Sequence, residues 1–354
     1  MLRLLRVPRI FCWLTPMLTV CAGPLLGMLG IALRLRAAPL VSQAQSLLVC
    51  PACQSVAELI VILGPTASGK SNVSLELARR LSDKGLFPEL INADSMQLYQ
   101  GMDIATAKLT LEERAEFPHH MFDVSPPEME MTVVQYQEKA RSVIEGIISR
   151  GGLPILVGGS MLYLQSVIYQ MEFAPTDEQI RKALEAELDQ LGPGALLARL
   201  KHLDPDSAER LDVGDERRII RALELYQLRG RGLDEFNKQP PLWINCKIFG
   251  LDVEREQLKQ RINSRVEDMW ENGLVDETKR LRGKLSTTAA AAIGYQQVEM
   301  FIDGEITKQQ AIEQIQISTA RYAKKQMTWF RRDKNIHWLQ PETAVEQIIS
   351  EARL

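Results

Sequence analysis

Eight consecutive residues, Gly64-Pro65-Thr66-Ala67-Ser68-Gly69-Lys70-Ser71, carry the spacing G-x-x-x-x-G-K-S. Glycines at those positions let backbone N–H groups wrap phosphate oxygens, Lys70 supplies a point charge, and the Ser71 hydroxyl sits where it can ligate Mg²⁺. The chemistry is the holding of a diphosphate, and the motif alone leaves open which one. A P-loop ATPase or kinase also needs an acid after an apolar strand to hold its metal, yet Ile155-Leu156-Val157 runs into Gly158-Gly159-Ser160. A carboxylate stands elsewhere, at Asp94 in Asp94-Ser95-Met96-Gln97-Leu98-Tyr99. Open α/β sheets present ligand sites at the carboxyl edge, so an aspartate ending a strand there can act as a base. Taken by itself the same carboxylate reads as a cap on the following turn.

Three further groupings combine charge or close approach. Gly158-Gly159-Ser160 is a turn that opens a helix, with Ser160 either capping that helix or touching a ligand. Arg218 and Arg221 share a helix face at i, i+3, a pattern that in most helices is solvated. Arg321, Lys325, Thr328 and Arg332 fall on one late helix beside Tyr322 and Trp329, joining phosphate-binding cations to stacking aromatics.

These residues must be positioned by a sheet. Leu59–Leu63 is a continuous apolar run, as in a strand buried on both faces, and Ser71–Leu81 has helical periodicity. Leu90–Asp94 and Pro154–Gly159 read as further strands, with a helix from about Val133 to Ser149 between them. Between Thr176 and Pro241 the pattern turns charged and helical, marked by Leu184, Leu188, Leu197, Leu200 and Leu203. Lys247–Leu251 restores a strand, and a helix follows whose Leu258, Ile262, Val266 and Met269 face the core. From there the chain reads as largely helical to its end, and the alanine run 289–292 suits close helix packing. The predicted fold is α/β: a P-loop NTPase-like, doubly wound parallel sheet with an inserted helical subdomain. Its parts are an N-terminal extension 1–57, a P-loop core in two pieces, 58–175 and 242–345, and the insertion 176–241.

Bulk composition narrows the function classes. The net charge is −3, and residues 1–57 hold five arginines and no acid, which leaves a mildly acidic body. Non-specific coating of nucleic acid is thereby disfavoured, although a local basic face is not. Cys12, Cys21, Cys50 and Cys53 lie in the extension and only Cys246 in the body, so no disulfide framework staples the fold and a reducing compartment is implied. The uncharged stretch Ile10–Leu33 is long enough for a membrane span, but Pro16, Gly23, Pro24, Gly27 and Gly30 interrupt it. A dispensable leader, a targeting segment or translation begun upstream of the true start fits better than an anchor.

Taken together, Gly64–Ser71, Asp94–Tyr99 with Gly101-Met102-Asp103, Pro118-His119-His120, Gly158–Ser160 with Leu162-Tyr163, Arg218–Glu224 and Gln326–Arg331 resemble tRNA dimethylallyltransferases over about 58–340. The resemblance implies transfer of a dimethylallyl group from dimethylallyl diphosphate to N6 of the adenosine 3′ of the anticodon, with Mg²⁺ assisting. It implies Asp94 as catalytic base, Gly64–Ser71 and Arg218 on the diphosphate, and Ser71 on the metal. It implies tRNA contacts from Asp94, Ser95, Met96, Gln97, Ser160, Arg181, Arg321 and Lys325, with the anticodon stem-loop as partner. The family usually has Thr where Ser160 stands, a change that keeps a hydroxyl, and usually Asn where Gly214 stands, which bears on the placement of Arg218. A cytoplasmic monomer is expected, without membrane association. The competing enzyme is a small-molecule P-loop kinase binding ATP; a non-catalytic RNA-binding protein on the same fold is the rival of a different class.

Overall fold

All five residues of β1 (Leu59–Leu63) are buried, because side chains alternate between two covered faces of one sheet. Leu59, Val61 and Leu63 join one apolar cluster, and Ile60 and Ile62 join another. Each such side chain contributes about 1.5–3 kcal/mol relative to exposure, so this strand is the spine of the fold.

A computed structural model describes residues 58–230 and 240–353. The extension 1–57, with its leader and membrane expectations and its four cysteines, lies outside the described residues. After β1 come α1 (Lys70–Asp83), β2 (Pro88–Asn92), α2 (Leu111–Ala115), β3 (His119–His120), α3 (Val133–Ser149), β4 (Leu153–Gly158) and α4 (Met161–Ile168). Four helices follow: α5 (Glu178–Leu191), α6 (Pro193–Leu203), α7 (Pro205–Ala208) and α8 (Glu216–Arg229). The chain then returns as β5 (Cys246–Leu251), α9 (Arg255–Glu271), α10 (Leu274–Leu281), α11 (Thr287–Ala290), α12 (Tyr295–Ile302), α13 (Lys308–Phe330), β6 (Ile336–Leu339) and α14 (Ala344–Ala352).

Six strands pair in the order β3-β2-β4-β1-β5-β6, every pair parallel. The doubly wound sheet expected from the sequence is therefore what forms. Two of its strands escaped the pattern reading. β3 is two residues long, below any periodicity, and β6 is a short edge strand with exposed His337, set in a segment read as helical. The alanine run also gives only one helical turn, with Ala289 and Ala292 buried.

The register sets Leu63 beside Gly158 and Asn92 beside Val157. The carboxyl ends of β1, β2 and β4 are thus level, which brings the P-loop, Asp94 and Gly158-Gly159 to one edge. Helices α5 to α8 gather a cluster of their own around Leu184, Leu196, Leu200, Ile219 and Leu223. Glu224, fully buried there, accepts from the Asp177 N–H at 2.8 Å and pairs with Arg221 at 2.6 Å.

Candidate active site

The loop after β1 turns through Gly69, whose φ of +88° favours glycine, so that α1 can begin at Lys70 with its amides facing the sheet edge. Lys70 Nζ donates to the Pro65 carbonyl at 2.7 Å, which folds the ammonium over the loop. Gln326 of α13, 1% exposed, splints this loop. Its Oε1 accepts from the Thr66 N–H at 2.9 Å and its Nε2 donates to the Gly159 carbonyl at 2.8 Å. Glycine is required at the other end of that splint. A Cβ on Gly158 would lie 2.3 Å from the Ala93 carbonyl oxygen, and one on Gly159 would lie 2.5 Å from Gln326 Nε2.

Asp94 is held by both readings the sequence allowed. As a cap, its Oδ1 accepts from the Met96 N–H at 2.9 Å. As a member of the site, it lines the same cavity as Lys70. Asn92 fixes the backbone beneath it, accepting from the Asp94 N–H at 2.9 Å and donating to the Met121 carbonyl at 2.9 Å. Burial raises the Asp94 pKa above the ordinary aspartate value, opposed by the Met96 N–H and by Lys70. Burial likewise brings Lys70 down to about 7, with Asp94 opposing the shift and Arg265 adding to it. The carboxyl is therefore more basic, and the ammonium more acidic, than either would be in water.

Ser160 stands at the N-cap position of α4 yet makes no capping bond. Its hydroxyl accepts from the Ser95 N–H at 2.8 Å and donates to Ser95 Oγ at 3.0 Å, tying the Gly158–Ser160 turn to the residues after Asp94. Gln97 donates through Nε2 to the carbonyls of Thr106 at 2.9 Å and Ala107 at 3.3 Å, and it lines the cavity. Met96 is half-buried against the core.

The cavity has a volume of about 770 Å³. Loop residues Thr66, Ala67, Gly69, Lys70 and Ser71 form one wall, Asp94 and Gln97 another, and Arg261 and Arg265 of α9 a third. Arg218 is not among the lining residues. It lies on α8, 59% exposed and paired with Asp215 at 3.2 Å. Arg261 approaches the loop closely enough that a Cβ on Gly69 would lie 3.9 Å from its Nη1. Sequence reading missed Arg261 and Arg265 because only the apolar stripe of their helix was used. An Arg-x-x-x-Arg pair one turn apart in the middle of the helix that follows β5 was the available signal.

Arg181 lies on α5, pairing with Glu224 at 3.2 Å, and does not line the cavity. Arg321 and Lys325 are exposed one turn apart on α13. The stripe predicted there is shorter than its spacing suggested, because α13 ends at Phe330 and Arg332 lies beyond it. Tyr322 is half-buried, and burial lifts its hydroxyl to about 12, with Ser160 and Gln326 opposing the shift, so it is not an open stacking platform.

The protein donor that the P-loop offers a metal here is the Ser71 hydroxyl. Among the described residues no group of three or more His, Cys, Asp or Glu could hold an ion. Ser71 sits half-exposed in the first turn of α1. That donor set fits Mg²⁺ shared with diphosphate oxygens, since Mg²⁺ keeps waters and takes few protein ligands. No helix among the described residues is long and apolar enough to cross a membrane.

The family model of IPP transferase matches residues 97–333. The chain is 45% identical over 289 residues to a tRNA dimethylallyltransferase of Thermobifida fusca, covering 79% of this chain and 89% of that one. It is 42% identical over 302 residues to one from Anoxybacillus flavithermus, covering 83% and 94%. Among solved structures, the full-length tRNA isopentenylpyrophosphate transferase of Bacillus halodurans aligns with a TM-score of 0.60 at 38% identity, over 83% of this chain and 96% of that one. A eukaryotic dimethylallyltransferase acting on tRNA aligns with a TM-score of 0.66 at 30% identity, over 83% and 76%.

Proposed function

The chain belongs to the IPP transferase family, and on that premise we propose that it transfers a dimethylallyl group from dimethylallyl diphosphate to N6 of the adenosine 3′-adjacent to the anticodon in tRNA, releasing diphosphate. The observation that carries this reading is one cavity lined by Lys70, Ser71 and Asp94, beside a strand, β4, that ends in Gly158-Gly159 where a P-loop kinase would set its metal acid.

The target base must leave its stack to reach such a cavity. Ser95, Met96 and Gln97 seat it, with the hydroxyl of Ser160 bracing Ser95. An exocyclic amine is a poor nucleophile until it loses a proton, and Asp94, made more basic by burial, takes that proton as N6 attacks. The N6–C1 bond forms as the allylic C1–O bond breaks, and the diphosphate leaves with the electron pair. Loop amides, Lys70, Arg261 and Arg265 meet the charge that develops on the leaving oxygens. Ser71 would hold Mg²⁺, which would supply Lewis-acid charge to the departing diphosphate. Leu109, Phe122 and Val157 give the cavity an apolar wall for the short allyl group. Exposed Arg321 and Lys325, with Arg181 on the helical insertion, act on the tRNA backbone.

The test is to incubate the protein with labelled dimethylallyl diphosphate and unmodified tRNA and to locate the label. Label on N6 of the anticodon-adjacent adenosine is expected. ATP hydrolysis without transfer would sink the reading in favour of a kinase.

A further inference from the structure

Glu277 of α10 is fully buried and does not line the cavity, yet four donors converge on it. Its Oε2 accepts from the Asp103 N–H at 2.9 Å and the Ile104 N–H at 2.8 Å. Its Oε1 accepts from the Ala105 N–H at 3.0 Å and from the Tyr295 hydroxyl at 2.9 Å. Three successive amides aimed at one carboxylate form an anion nest, so the buried charge is met by backbone dipoles.

The turn that Glu277 grips is held from its other side by Lys108. That buried ammonium donates to the Tyr99 carbonyl, to Asp103 Oδ1 and to Asp123 Oδ1, each at 2.7 Å. The Thr106 hydroxyl closes the turn onto the Met102 carbonyl at 2.6 Å. Ala107 is held at a φ of +51°, a conformation sparsely populated by residues other than glycine. Such a backbone persists only where its surroundings over-determine it. The turn delivers two carbonyls, those of Thr106 and Ala107, to the single Gln97 amide nitrogen. With that nitrogen committed to two acceptors, the flip of the amide is decided, and Oε1 is the end left for other partners.

We infer that Glu277 is a positioning residue for Gln97: by gripping the 103–105 turn it fixes the carbonyls that orient the Gln97 amide, and so sets how the target base is seated against Asp94. This inference rests on the transferase reading. It separates two properties of the site, because the diphosphate loop, splinted by Gln326, receives nothing from Glu277.

The experiment is a double-mutant cycle of Glu277→Gln with Gln97→Ala, read by kcat, by KM for tRNA and by Kd for dimethylallyl diphosphate. Glutamine keeps the shape of Glu277 but cannot accept from all four donors. Glu277→Gln is expected to lower the transfer rate roughly 10-fold or more, the scale of a small misplacement at a reacting centre, with the donor Kd within about twofold of wild type. In the Gln97→Ala background the same change should cost nothing further, as coupled residues are non-additive. Losses that multiply, or a donor Kd that weakens in step with the rate, would overturn the inference and leave Glu277 a structural carboxylate. If Glu277→Gln does not fold, Tyr295→Phe withdraws one donor from Glu277 and is judged by the same cycle. Hydrogen exchange of the 103–105 amides, measured without substrate, should quicken in either variant. Unchanged exchange overturns the inference even where transfer is intact. A wild-type protein that transfers nothing would instead sink the reading on which it rests.

Discussion

Lys70 and Asp94 perturb one another in a way that fixes a pH window. Proton abstraction needs Asp94 ionised, and its carboxyl is raised by burial, so activity is gained as pH climbs through that raised value. Holding a diphosphate needs Lys70 charged, and the ligand-free ammonium loses its proton near 7, so affinity is lost as pH passes upward through about 7. The profile of kcat/KM, which reports the free enzyme, should therefore be a bell whose alkaline limb belongs to Lys70. Bound diphosphate puts negative charge beside Lys70 and holds its proton, so the alkaline limb of kcat should lie at higher pH. Lys70→Arg should abolish the limb near 7, and Asp94→Ala should remove the acid limb while cutting the rate roughly 10²–10⁴-fold. A wild-type profile without an alkaline limb would contradict this account. The type and place of both residues could be read from the chain. Their mutual titration could not, because it depends on how closely β1, β2 and α9 crowd them.

At the scale of elements, the site is an agreement among β1, β2 and β4 on a level edge, locked by α13. Gln326 makes that lock, joining Thr66 to Gly159 across two loops far apart in sequence. Gln326→Ala leaves a buried N–H and a buried carbonyl unpaired, a cost of about 1–3 kcal/mol. It should lower the urea midpoint and weaken dimethylallyl diphosphate binding together. Loss of stability with unchanged donor affinity would show that the loop needs no splint. The glycines at 158 and 159 were legible as a close approach. What they approach, Ala93 on one side and Gln326 on the other, was not, because a glycine records only that space is short. Arg218, on α8, pairs with Asp215 outside the cavity lining, while α9 brings Arg261 and Arg265 to it.

For the whole molecule, the mildly acidic body must meet tRNA through local cations. Arg321 and Lys325 stand exposed on α13, the helix that locks the site, while Tyr322 between them points inward. If both neutralise phosphates, replacing either with Ala should weaken tRNA binding and reduce the slope of log K against log salt by about 0.7. Donor affinity should not change. An unaltered salt slope in both variants would remove α13 from the interface. Binding isotherms over a range of salt concentrations measure this directly.

Local pattern determined the P-loop, its flanking strand and helix, the aspartate just past β2, and the alternation that makes a parallel sheet, since each of these is a short-range matter of spacing and side-chain type. Even the two-glycine end of β4, and with it the missing metal acid, is written in neighbouring residues. Tertiary structure decided which cations face the diphosphate loop, where Tyr322 and Ser160 point, and how Glu277 holds the turn behind Gln97. Those contacts join residues up to 260 positions apart, as Thr66 and Gln326 are. No periodicity encodes them, because they exist only once the sheet register and helix packing have set the distances.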